Sequence, residues 1–271
     1  MTDTPDFPAA PAHRGRNGMR GLPRGPRPVS FVGVLGELLI TAGALVFLFI
    51  GWQLWWNDMV TANAQSDAAT TVSQAWIAKD PVSHDPAAPA PDPVTYGAPI
   101  VRTAPAEARP FAVLYVPRYG AGYHRTIAEG TGMDVLNSTR LGVGHYPHTQ
   151  MPGEVGNFAV AAHRSAYGGG MHLINELQLG DPIYVQTADG YYTYRFRDLQ
   201  YVAPTSVEVL APVPTEPGVK PTDRIITLTS CNPLYSVAER IIAYGVFESW
   251  QPTSAGPPAG LAPIIAAQAK G

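Results

Sequence analysis

Pro182-Ile-Tyr-Val-Gln-Thr-Ala-Asp-Gly-Tyr-Tyr-Thr-Tyr-Arg-Phe196 decides the fold class of this chain. Two runs rich in β-branched and aromatic residues flank Ala188-Asp189-Gly190. An Asp-Gly step between such runs signals a tight hairpin, because glycine takes the positive φ that the turn requires. Outward from this hairpin lie further short apolar runs at Phe111–Val116, Asn157–Ala162, Leu199–Val202, Ile225–Thr229 and Arg240–Phe247. Proline and glycine punctuate them, as at Pro117 and Pro152-Gly153. Many short strands separated by turn residues imply an all-β sandwich or barrel. Helical periodicity is confined to Met171–Leu179 and Thr131–Ser138.

The flanks are of another kind. Residues 1–30 carry Arg14, Arg16, Arg20, Arg24 and Arg27 among glycines and prolines, a composition that buries no core. Residues 31–56 hold an apolar run of about the length needed to cross a bilayer. Arginines before it and none just after it place the amino terminus in the cytoplasm, with Trp52, Trp55 and Trp56 as an outer interfacial belt. Glu37 is tolerated near the cytoplasmic end of the run. A cleaved signal peptide is the rival, since Ala62-Asn63-Ala64 has a small-x-small pattern, but the run is longer than a signal core and this pattern lies well past it. Residues 57–108 are expected to be an extracellular Ala/Pro-rich spacer, a frayed helix followed by proline-dense extended chain in which His84 is solvated. Residues 109–250 form the expected folded domain, and residues 251–271 are expected to be a disordered tail.

Composition excludes several functions. Among 271 residues the net charge is -3, so no basic face for nucleic acid is implied. No histidine–carboxylate grouping has metal-ligand spacing and no glycine loop has the phosphate-binding form, so no metal and no cofactor are expected. The single cysteine, Cys231, forbids an internal disulfide framework. On composition alone a free cysteine reads as a small buried hydrophobe.

Position argues for chemistry instead. Thr227-Leu-Thr-Ser-Cys231-Asn-Pro233 puts the thiol where a strand ends and Asn-Pro begins a loop. A nucleophilic thiol needs a nearby cation or base. Arg240, nine positions on at the start of the next strand, supplies a permanent charge that antiparallel pairing brings alongside. His163 closes the strand Asn157–Ala162 and has the titration range of a general acid. His145, in the glycine loop Gly142-Val-Gly-His-Tyr-Pro-His148, reads as structural, and His124, His148 and His172 show no partners in the sequence.

At these residues the chain resembles the sortase family. Thr227-Leu-Thr-Ser-Cys231 is similar to the sortase motif Thr-Leu-x-Thr-Cys, with Ser230 keeping the hydroxyl where threonine is usual. His163 and Arg240 match the other two members of the sortase site. Gly144-His-Tyr-Pro147, Pro152-Gly-Glu154, Gly156–Arg164 and Cys231-Asn-Pro233 are most similar to class E enzymes of high-GC Gram-positive bacteria. The resemblance implies a closed β-barrel of about eight strands with short helices, behind one transmembrane helix. It implies a plasma-membrane transpeptidase, with its catalytic domain extracellular. Cys231 would attack the Thr carbonyl of a Leu-Pro-x-Thr-Gly or Leu-Ala-x-Thr-Gly sorting signal on a secreted protein. Arg240 would hold substrate or oxyanion, His163 would protonate the leaving Gly amine, and Ser230 and Thr229 would touch substrate. Lipid II or a peptidoglycan peptide amine would then resolve the thioester.

Three rivals stay open. A pilin-polymerising sortase would join a lysine side chain, and no aromatic-acidic lid motif marks one here. A cysteine L,D-transpeptidase carries a Ser-His-Gly-Cys motif, whereas Leu228-Thr-Ser-Cys231 lacks the histidine and glycine. A membrane-tethered wall-binding β-domain would leave Cys231 incidental.

Overall fold

The computed structural model describes residues 30–81 and 96–270, save the side chains of Leu54 and Trp55. The basic segment 1–29 and residues 82–95 of the proline-dense stretch, with His84, lie outside the described residues. Helix α1, Phe31–Gly51, has 21 residues, a mean hydropathy of 2.2 and no buried position. At about 1.5 Å per residue it is long and apolar enough to cross a membrane. A division after Leu48 sets most of α1 apart from the rest of the chain.

Eight strands close a barrel: β1 Pro110–Tyr115, β2 His124–Glu129, β3 Gly142–His145, β4 Gly156–Ala162, β5 Pro182–Gln186, β6 Gly190–Val202, β7 Arg224–Asn232 and β8 Glu239–Pro252. Their order around the barrel is β1-β2-β3-β4-β7-β8-β6-β5. The β5–β6 hairpin forms around Ala188-Asp189-Gly190, but Gly190 opens β6 without the expected positive φ, and what requires a glycine there is the Gln251 carbonyl that a Cβ would meet. Leu199–Val202 is no separate strand but the end of β6, which bends through register shifts at Thr193/Tyr194 and Phe196/Asp198. Strands β4 and β7 lie side by side and parallel, and β7 pairs antiparallel with β8. Alternation along each strand sends Phe158, Val160, Ala162, Ile226, Leu228, Ile241 and Ala243 into the barrel interior. Their neighbours in sequence face outward, and the site is built on that outer face.

Two strands escape sequence patterning. In β2, His-Arg-Thr-Ile-Ala-Glu, every position is buried although most are polar. In β3, two of four residues are glycines, and a Cβ on Gly144 would collide with the Gly130 carbonyl. Of the two helical stretches expected within the domain, only a short helix α3, Met133–Leu136, and a 3-10 turn, Ile174–Glu176, form.

Residues 57–79 depart from the expected spacer. Helix α2, Asn57–Lys79, packs along the barrel through Thr61, Gln65, Ala69 and Ser73, one residue per turn. The Gln65 amide donates to the Ser138 and Tyr167 carbonyls at 2.8 and 3.0 Å. Ser73 Oγ donates to Gln186 Oε1 at 2.7 Å, and Arg125 Nη1 donates to Ser66 Oγ at 2.6 Å. His124 Nε2 meets Thr70 Oγ1 at 2.7 Å. The helix therefore docks by hydrogen bonds along its length and, in its second half, by Ala69, Val72, Trp76 and Ile77 packed on the tyrosine-lined outer face, and β2 is buried beneath it. Residues 96–108 also lie on the barrel: the Gly97 carbonyl accepts from Trp250 Nε1 at 3.1 Å, and Arg102 pairs with Asp189 at 2.6 Å.

The expected disordered tail is likewise folded. After β8 comes helix α4, Ala262–Gln268. Leu261, Ile264 and Ile265 bury against Tyr115, Tyr184 and Tyr191 on the outer face beside α2. Three apolar anchors within a Pro/Ala/Gly-rich stretch suffice to dock a short helix, because its partner surface is already ordered.

Candidate active site

The three strand-end residues fall in one row. Strand pairing sets Cys231 opposite Arg240 across β7 and β8. On the other side, β4 runs parallel to β7 with Ala161 opposite Thr229. Continuing that register two residues sets His163, just past the end of β4, opposite Cys231. Adjacent strands stand about 4.8 Å apart, so histidine, cysteine and arginine lie side by side across three strands. Each follows or precedes an interior residue (Ala162 for His163, Ile241 for Arg240) and so turns outward.

Cys231 is a free thiol, partly exposed. His163 is half-buried, and burial holds its imidazole below the ordinary range while the Asp58 carboxylate works against that shift. Its Nε2 bonds to Asn137 Oδ1 at 2.8 Å, and its ring lies 5.0 Å from that of Tyr167. Among the described residues the imidazole bonds to Asn137 rather than to the thiol. Arg240 donates from Nη1 to the Val237 and Glu239 carbonyls at 3.1 and 3.0 Å. Those bonds tie the guanidinium to the β7–β8 loop, and Arg240 also helps to line a groove.

That groove is a cavity of about 140 Å³ walled by Tyr146, Val209, Leu210, Thr229, Arg240 and Ile242, among others. Its far wall belongs to the long β6–β7 connection. Asn157 holds it, donating to the Val209 and Ala211 carbonyls at 3.0 and 3.1 Å while accepting from Thr227 Oγ1 at 2.6 Å. Tyr146 OH and Thr229 Oγ1 meet at 3.0 Å beside the cysteine. Thr229 thus faces the groove.

Ser230 does not. It is buried and its hydroxyl donates to the Ala162 carbonyl at 2.8 Å. The two-residue period of a strand puts it on the face opposite Cys231. Its hydroxyl ties β7 to β4 and so fixes the spacing of Cys231 and His163, in place of the expected contact with substrate.

Arg164, beside His163, is a further member. It is buried, Nη1 donates to Asn232 Oδ1, and Nη2 donates to Asn175 Oδ1 at 3.0 Å. It therefore clamps the residue after Cys231 to the loop after His163. Asn137, Tyr146 and Arg164 were not singled out in the sequence. Only Arg164, adjacent to a candidate histidine, and Tyr146, in the Gly-His-Tyr-Pro loop, carried any local signal.

The remaining histidines do other work. His145 is fully buried, its Nδ1 2.6 Å from Glu129 Oε2 and its Nε2 2.9 Å from Thr149 Oγ1. It anchors the β3–β4 loop, as its structural reading expects. His172 Nδ1 bonds to the Arg164 carbonyl at 3.0 Å. No group of three or more His, Cys, Asp or Glu side chains among the described residues could hold a metal.

A partly exposed thiol, an imidazole and a guanidinium at neighbouring strand ends are the kinds of group that acyl transfer uses. A family model described as the sortase domain matches residues 114–248. Sortase SrtE2 of Streptomyces coelicolor is 35% identical over 218 residues, 79% of this chain and 81% of its own length. SrtE1 of the same species is 34% identical over 236 residues, 84% of this chain, and this chain spans 60% of SrtE1's length. A solved structure of sortase E1 from Streptomyces coelicolor, with a tripeptide in the active site, is 38% identical with a TM-score of 0.52. It covers 58% of this chain and 99% of that one. The SrtA sortase from Actinomyces oris gives a TM-score of 0.57 at 40% identity, covering 61% of this chain and 94% of that one. With an eight-stranded closed barrel, a cysteine at the end of β7 and these relatives, the chain belongs to the sortase family of transpeptidases.

Proposed function

We propose that this chain cleaves a sorting signal of the Leu-Ala-x-Thr-Gly or Leu-Pro-x-Thr-Gly kind between Thr and Gly, and transfers the secreted protein to a cell-wall amine. The observation that carries this is the row His163–Cys231–Arg240 at the rim of a groove. The tripeptide held in the active site of the Streptomyces coelicolor enzyme supports a peptide in the same place.

The Cys231 sulfur attacks the Thr carbonyl carbon. The oxygen gains negative charge, which the Arg240 guanidinium stabilises. The C–N bond to Gly then breaks, and protonated His163 gives its proton to the departing nitrogen. A thioester on Cys231 remains until an amine replaces sulfur. Burial keeps His163 mostly neutral at neutral pH, so the acid form is a minority that shrinks as pH rises. The neutral majority is the form that can take a proton from an incoming amine. Asn137, a neutral partner, tolerates both forms, since its amide oxygen accepts from a protonated ring nitrogen.

Arginines ahead of α1 and none just after it support a cytoplasmic amino terminus and an extracellular barrel at the plasma membrane. A cytoplasmic barrel would have no access to secreted proteins or wall amines.

The test incubates the full chain with Leu-Ala-x-Thr-Gly and Leu-Pro-x-Thr-Gly peptides and a glycyl amine, and weighs the products. Cleavage after Thr with amine joined to Thr is expected. Absence of both cleavage and transfer for either peptide overturns the proposal.

A further inference from the structure

The row of three residues has two sides. The groove lined by Tyr146, Thr229 and Arg240 lies on the arginine side of Cys231. On the histidine side lies a second, separate cavity of about 340 Å³. It is bounded by Asp58, Met59 and Ala62 of α2, by Ser165, Gly168, Gly169 and His172 of the loop after His163, and by Tyr235 of the β7–β8 loop. Its volume lies in the range of cavities that hold small ligands, about 300–1,000 Å³. The walls are tied together: the Gly168 N–H donates to Asp58 Oδ1 at 3.4 Å, and the Tyr235 N–H donates to Ser165 Oγ at 3.2 Å. Gln65 of α2 holds the Tyr167 carbonyl at 3.0 Å.

Asp58 is the acidic residue among those lining this cavity. Among the described residues its hydrogen bond is the long contact from Gly168, which leaves a carboxylate lining the cavity with accepting capacity to spare. The acceptor in the reaction proposed above is an amine, and at neutral pH a primary amine arrives as ammonium. Arg240, on the opposite side, repels such a cation from the groove.

We infer that the cavity between α2, the loop after His163 and the β7–β8 loop receives the acceptor, and that Asp58 selects an acceptor carrying a primary ammonium. This rests on the transpeptidase reading above. The ammonium pairs with the Asp58 carboxylate and loses one proton to water. The neutral amine adds to the thioester carbonyl carbon, the C–S bond breaks, and sulfur leaves with the electron pair. The second proton passes from nitrogen to neutral His163 and then to sulfur, restoring the thiol. Asp58 is a specificity-determining residue here, and α2 becomes a wall of the site.

The experiment uses the full chain in detergent, a Leu-Ala-x-Thr-Gly peptide, and two acceptors. Triglycine is cationic at its amino terminus, and hydroxylamine is largely uncharged at neutral pH. The readout is the ratio of acceptor kcat/KM for triglycine to that for hydroxylamine, which cancels effects common to both. D58N is expected to lower this ratio about tenfold, the scale of one charge-assisted hydrogen bond. D58E is expected to recover most of it, and D67N, at an exposed position of the same helix, leaves it at the wild-type value. In the wild-type chain the ratio is expected to fall as salt is raised, which keeps the test decisive should D58N not fold. An unchanged ratio in D58N, an equal loss for both acceptors, or a wild-type ratio indifferent to salt overturns this inference while leaving cleavage intact. A wild-type chain that cleaves no sorting peptide overturns the underlying reading and this inference with it.

Discussion

His145 and His163 stand at the ends of neighbouring antiparallel strands, β3 and β4, and are held in opposite ways. His145 is fully buried, bonded at both nitrogens, and packed between the rings of Phe111 and Phe158 at 5.7 and 5.3 Å. His163 is half-buried, has a neutral hydrogen-bond partner in Asn137, and leads into the loop that lines the larger cavity. A ring bonded on both nitrogens has a fixed task and little freedom to exchange protons. A ring with one neutral partner beside a thiol is free to do so.

Breaking the open histidine is expected to have the largest effect on activity. H163A is expected to lower kcat for peptide cleavage by about 10³-fold, within the usual range for a general acid, with little change in melting temperature. R240A comes next, at about 10²-fold in kcat, as for loss of an oxyanion donor, read from steady-state kinetics. Breaking the closed histidine is expected to act on stability instead. H145A leaves Glu129 buried without its partner and opens space between two phenylalanines, costing about 3 kcal/mol in urea unfolding. If H145A instead unfolded like wild type but lost cleavage, the contrast between the two residues would be reversed.

The smaller effects sharpen the contrast. By NMR titration, the His163 imidazole is expected below the ordinary value of about 6.5. Burial disfavours imidazolium and Asp58 favours it, so D58N is expected to move the value lower still. A value above the ordinary one, or an upward move in D58N, would contradict the balance described. S73A is expected to cost about 1 kcal/mol in unfolding, because Ser73 joins α2 to Gln186 and Tyr115 through hydrogen bonds.

The same contrast explains what the sequence displayed. Strands β1 and β4 to β8 were legible because their inward faces are apolar and their ends carry turn residues. Strand β2 was not, since α2 covers it and hydrogen-bonds to His124 and Arg125 through Thr70 and Ser66. Helix α2 was read as part of a spacer because Thr61, Gln65 and Ser73 on its buried face are polar and its apolar contacts, Ala69, Val72, Trp76 and Ile77, are confined to its second half. The tail resembled a disordered segment because Leu261, Ile264 and Ile265 are diluted by small residues. Cys231, His163 and Arg240 were legible because each ends or begins a recognisable strand. Ser230 was misplaced because a motif gives order along the chain, and only the pleat tells which face a residue takes. Asp58 was invisible for the opposite reason: more than a hundred residues of chain separate it from His163, and only the docking of α2 brings them to one cavity.

The central claim is that Cys231 forms a covalent bond with its substrate. Incubating the full chain with a Leu-Ala-x-Thr-Gly peptide, quenching in acid and measuring the intact mass tests this directly. The account predicts a mass increase equal to the peptide up to Thr, mapped to Cys231, lost on adding an amine and absent from C231A. A C231A chain that cleaves the peptide at the wild-type rate, or an adduct mapped to any other residue, would contradict it.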